Sequence, residues 1–162
     1  FNEDQVRTMG RVSTGVIGMR LDGGDDEVIG MVCVNDPQQE TIMVVSENGY
    51  GKRSEVEDYR KTARGTKGVK TLEKTEKTGR LVAIKVVTDE NDLMIINKSG
   101  ILIRLKVADV RVMGRATQGV RLINLTKKND TIASVCKVMS SQDEEEEYSE
   151  DSELSENSEN NE

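Results

Sequence analysis

The sequence predicts an all-β protein, a partial array of propeller-like blades of about 50 residues and four short strands each. Three observations predict this. A seven-residue motif returns at offsets of 53 and 51 residues. Short β-branched runs, bounded by turn residues, hold fixed places between its copies. No segment carries apolar residues at a helical period long enough to make an amphipathic helix.

The motif is [GA]-R-x-x-x-G-V. It occurs as Gly10-Arg11-Val12-Ser13-Thr14-Gly15-Val16, as Ala63-Arg64-Gly65-Thr66-Lys67-Gly68-Val69, and as Gly114-Arg115-Ala116-Thr117-Gln118-Gly119-Val120. A run of strand character follows each copy, at residues 26–34, 79–87 and 130–138. A hairpin comes next in two of the units. Thr41-Ile42-Met43-Val44-Val45 leads to Asn48-Gly49, and Asp92-Leu93-Met94-Ile95-Ile96 leads to Ser99-Gly100. Asn-Gly and Ser-Gly supply the positive φ that a tight hairpin needs. Strands are therefore expected at 28–34, 41–45, 81–87, 93–96 and 101–107.

Units fall near 11–63, 64–114 and 115–140, the last lacking its hairpin. This makes about two and a half blades, against the roughly four to eight that close a propeller. The opening residue is Phe1 rather than Met, so a piece of a larger array is expected, or one that associates to cover an open edge.

The formal charge of −7 hides two opposite segments. Of 30 acidic residues, eleven lie within 143–162, where there is no Lys or Arg. The remaining 19 face 23 basic residues, so the body carries +4. Residues 141–162 are expected to be a disordered acidic tail, since they hold too little apolar surface to offset the entropy of ordering. No run approaches the ~18 apolar residues of a membrane helix, and no signal segment opens the chain. A cytoplasmic protein without membrane attachment is expected. Cys33 and Cys136 stand singly, without the spacing of a zinc or redox motif, and are expected as reduced thiols in or near the core.

With no His in the chain, Ser-His and Cys-His nucleophile pairs are excluded. Residues 10–18 resemble a phosphate loop only faintly and lack its Lys-Ser/Thr ending. Asp22-Gly23-Gly24-Asp25-Asp26-Glu27 carries oxygen ligands suited to a hard cation. Its place between strands and its non-acidic counterparts in the other units make it a solvated turn. No catalytic residue, metal ligand or cofactor site is assigned.

The positive charge is ordered by the repeat. Arg11, Arg64 and Arg115 occupy one repeat position, Arg53 and Arg104 another, and Lys70 and Arg121 a third. Between residues 52 and 85 there are eleven basic and five acidic residues. Equivalent positions in successive blades draw an arc of charge along the rim, suited to a polyanion held through its phosphates. Lys52, Lys61, Lys67 and Lys70, with no evident neutralising neighbour, are expected to face phosphate. For Arg11, Arg64 and Arg115 two readings stand: phosphate contact, or capping of turn carbonyls. Few aromatics are available to stack single-stranded bases, which favours duplex DNA held by its backbone. No recognition helix is expected, so base-specific reading is not.

The [GA]-R-x-x-x-G-V turn, the D-x-[VI] strand after it and the S-x-x-G-x-x-[KR]-R-type hairpin resemble the C-terminal domain of the DNA gyrase A protein. The topoisomerase IV counterpart is similar. The resemblance spans residues 3 to about 139 and recurs in every unit. It implies a β-pinwheel whose basic rim wraps double-stranded DNA, so that an ATP-hydrolysing type II topoisomerase can introduce negative supercoils. It also implies the gyrase B protein and the rest of the gyrase A protein as partners, in an A2B2 heterotetramer at the bacterial nucleoid. The tyrosine that cleaves DNA and the ATP site would lie outside this chain. One departure is the gyrase-defining Q-R-R-G-G-R-G box, of which residues 62–70 are a degenerate cousin. The alternative function is a propeller-type interaction module that docks an acidic protein and has no role on DNA.

Overall fold

Runs of β-branched and aliphatic residues, broken by Asn-Gly, Ser-Gly and the motif glycines, set where strands begin and end. The structure, a computed structural model, describes residues 1–125 and 130–140. Its strands are β1 (Thr41–Ser46), β2 (Tyr50–Glu55), β3 (Leu81–Val87), β4 (Asn91–Asn97), β5 (Leu102–Lys106), β6 (Val120–Arg121) and β7 (Ile132–Met139). The remaining regular elements are short 3-10 turns at Glu3–Gln5, Val56–Asp58 and Val107–Asp109. The expected acidic tail lies outside the described residues.

The strands form two antiparallel sheets, ordered β3-β1-β2-β6 and β5-β4-β7. Each sheet is built across the sequence period. The β1–β2 hairpin takes β3 from the next unit, with Thr41 opposite Val87, and β6 from the unit after that, with Gly51 opposite Val120. The β4–β5 hairpin likewise takes β7, with Asn91 opposite Met139. The run that follows the second and the third motif thus pairs with the hairpin before it.

This exchange corrects one expectation. Residues 28–34 have strand composition but form no strand. No described strand pairs with them. A β-prone run without a partner leaves its backbone to water. Its side chains are largely exposed, Met31 at 82%, although Val32 still packs against the cluster of Ile42, Val44, Leu72 and Val86.

β1 explains why Ile42-Met43-Val44-Val45 is an unbroken apolar run, because it is buried on both faces. Met43 and Val45 join Val87 from their own sheet and Leu93, Ile95, Ile132 and Val135 from the other in one core cluster. Ile42 and Val44 point the opposite way, toward Leu72 and Val86. The main core therefore lies between the sheets. The expectation for the thiols is also corrected. Cys33 and Cys136 are exposed, Cys33 on the unpaired 28–34 run and Cys136 on the outward face of β7. No described helix is long and apolar enough to cross a membrane.

Candidate nucleic-acid interface

β3 and β7 pack against each other between the sheets, so β6 lies on the far edge of its sheet. The three motif turns line up toward that edge. Each needs a left-handed residue, and the motif glycine provides it, with φ of +88° at Gly15, +79° at Gly68 and +80° at Gly119. At Gly119 a side chain would also collide with the Gly51 carbonyl, 2.5 Å from an ideal Cβ. Backbone bonds join turn to turn in one register. Arg20 N donates to Thr66 O at 3.0 Å, and Glu73 N to Thr117 O at 3.2 Å.

The motif arginines fasten this stack. Arg64 donates through Nε to Gln5 O (3.3 Å) and through Nη1 to Ile17 O (2.6 Å). Arg115 repeats the pattern one unit on, with Nε to Asp58 O (3.2 Å) and Nη1 to Lys70 O. Both are half-buried. The geometry thus supports the capping alternative for these two. Arg11 is exposed and makes no hydrogen bond among the described residues.

Lys52 and Arg53 are corrected from rim to scaffold. Lys52 is fully buried, and its Nζ donates to Gly114 O at 2.6 Å and to Arg115 O. Burial pushes its ammonium down from 10.5 to about 8, with Arg115 adding to the fall and Asp58 opposing it. Arg53, 8% exposed, donates to Val110 O at 2.5 Å and pairs with Asp89. Both sit on β2, whose residues 51–54 are all buried under the following unit. A side chain enclosed in this way has no path to a phosphate.

The remaining predicted cations are exposed: Lys61, Lys67, Lys70, Arg104, Arg121 and, as noted, Arg11. Three have carboxylate partners that sequence inspection missed. Lys67 pairs with Asp22, Lys70 with Glu73 at 2.9 Å, and Arg104 with the buried Asp92 at 2.6 Å. The first two are solvent-exposed pairs of little net strength, which an arriving phosphate can displace. Arg104 is also held by Met139 O and serves the β4–β7 pairing more than the surface. Arg121, on β6, lies over the Tyr50 ring. The exposed, displaceable set along the turn row is therefore Arg11, Lys61, Lys67, Lys70 and Arg121.

A family profile described as the DNA gyrase C-terminal domain, a β-propeller, matches residues 1–35, 40–88 and 91–136. The chain belongs to this DNA gyrase C-terminal domain family. Its relatives agree. The DNA gyrase A protein of Staphylococcus aureus strain MRSA252 is 47% identical over 144 residues, 89% of this chain and 16% of that protein. Its counterpart in strain NCTC 8325 is 46% identical over the same shares. The chain thus spans about a sixth of the length of the curated relatives it matches. Among solved structures, the DNA gyrase A C-terminal domain aligns with a TM-score of 0.71 at 28% identity, covering 83% of this chain and 45% of that one. The DNA topoisomerase IV C-terminal domain aligns with a TM-score of 0.78 at 23% identity, covering 86% and 43%. That second likeness establishes the fold alone. For a gyrase C-terminal domain, the stack of turns and exchanged strands is the architecture expected from the repeat.

Proposed function

We propose that this chain binds duplex DNA without sequence preference along its row of motif turns and bends it around the rim. In a complete gyrase A protein this would support wrapping ahead of strand passage, alongside the gyrase B protein, in an ATP-dependent type II topoisomerase that introduces negative supercoils at the nucleoid. The observation that carries the reading is the basic row itself. Lys61, Lys67 and Lys70 are exposed in and beside the second motif turn and Arg121 on β6 after the third, while the arginines between them tie the turns together. Rigid spacing of cations suits the regular phosphate spacing of a duplex and lets each contact release a counterion.

Fluorescence anisotropy with random duplex at two salt concentrations tests this. Replacing Lys61, Lys67 and Lys70 with Ala is expected to weaken all sequences equally. It should lower the slope of log K against log salt by roughly two to three, near 0.9 for each lost phosphate contact. Absence of salt-dependent duplex binding would instead favour a module that docks an acidic protein.

A further inference from the structure

A cleft of about 280 Å³ opens between the β1–β2 turn and the segment that follows β6. We propose that this cleft is a phosphodiester anchor, in which Lys77 and Arg121 hold one phosphate of the DNA backbone and Tyr50 fixes Arg121 in place. The proposal rests on duplex binding by the rim and adds to it a site that the repeat does not generate.

Tyr50 and Arg121 come together because β2 pairs with β6, placing them opposite each other in the ladder. Arg121 Nη2 donates to Tyr50 Oη at 3.0 Å, and the guanidinium carbon sits 5.5 Å from the ring centroid. Stacking and one hydrogen bond fix the plane of the guanidinium. They leave most of its five N–H donors for a ligand. Neither Arg121 nor Lys77 has a carboxylate partner among the described residues, unlike Lys67, Lys70 and Arg104.

Among the described residues, the one acid on the cleft wall is already engaged. Asp130 accepts from Asn97 Nδ2 at 2.7 Å, from Ser99 Oγ, and from the Thr131 amide at 2.9 Å. Two cations against one hydrogen-bonded carboxylate leave the lining positive among the described residues. Asn124 adds an exposed amide to the lining. A tetrahedral oxyanion matches this donor set, and the cleft is too open to enclose an apolar ligand.

The arrangement occurs once. Tyr50 corresponds in the next hairpin to Ile101, and Arg121 corresponds to Lys70 and Ile17 in the other turns. Such a unique anchor on a repetitive rim would fix where the duplex enters or leaves the row, whereas the lysines merely attract it.

Duplex anisotropy across a salt series is run on the intact chain and on Lys77→Ala, Tyr50→Phe, Arg121→Lys and the Lys61/Lys67/Lys70 triple variant, with thermal melts to confirm folding. Lys77→Ala is expected to lower the salt slope by about one. Tyr50→Phe and Arg121→Lys keep the net charge, so the slope should hold while affinity falls about 2- to 10-fold through loss of the fixed fork. If the triple variant loses slope while Lys77→Ala, Tyr50→Phe and Arg121→Lys match the parent, the anchor is overturned and rim binding stands. If no chain binds duplex, the underlying reading fails with it. Inorganic phosphate is titrated as a competitor at constant ionic strength. Displacement of DNA at micromolar phosphate would assign the cleft to a small free anion and overturn the backbone assignment. Displacement confined to tens of millimolar is the expected result.

Discussion

Lys52 offers the most direct check on how the blades are joined. Its amine is fully buried between the carbonyls of Gly114 and Arg115, 62 and 63 residues away in sequence. A neutral amine still has two N–H donors, so both caps survive deprotonation while the desolvation cost disappears. This is why the folded protein releases the proton at about 8 and the unfolded chain near 10.5. Between those values the unfolded state binds more protons than the folded one, so stability rises with pH. Below about 8 both states are charged and the contribution is flat. Each pH unit of the gap is worth about 1.4 kcal/mol, giving a total on the order of 3 kcal/mol. Urea unfolding of the parent and of Lys52→Met at intervals from pH 7 to 10.5 measures it, and subtracting the two curves removes every other titrating group. The difference should be level to about pH 8 and then climb in favour of the parent. A difference that stays level to pH 10.5, or that falls, would refute the enclosure of Lys52 by the third turn.

Three further outcomes are expected. Arg115→Ala removes two carbonyl caps between successive turns and should cost about 1–3 kcal/mol in urea unfolding. It should leave the salt slope of duplex binding unchanged, and a lowered slope would return Arg115 to the phosphate-contact set. Met43→Ala, at a fully buried position in the cluster between the sheets, should cost about 2–5 kcal/mol, and a loss below 1 kcal/mol would show that the sheets do not pack through it. Deleting residues 143–162 removes eleven acidic charges tethered to a basic body. Duplex binding should tighten several-fold at low salt, with the gain fading through the physiological range. Equal affinities at low salt would leave the tail without this role.

The sequence by itself determined the all-β class, the period, the hairpins and the three turns. These are local properties. A glycine is needed where φ is positive, and Gly15, Gly68 and Gly119 recur for that reason. The run 41–45 reads as a strand because it is short, rich in β-branched residues and followed by the Asn48-Gly49 turn. The same local reading placed a strand at 28–34, where composition was right but no described strand pairs with the run. It also placed Lys52 and Arg53 beside phosphates, because charge in a sequence looks alike whether it faces water or a carbonyl. The tertiary structure decided those cases, and it alone brought Tyr50 against Arg121 across 71 residues. The physical reason is strand exchange. Each hairpin completes its sheet with segments of later units, so the surroundings of any β2 side chain are set by backbone one or two periods away. Periodicity reveals that such segments exist, but only the register of the sheets determines which side chains they cover.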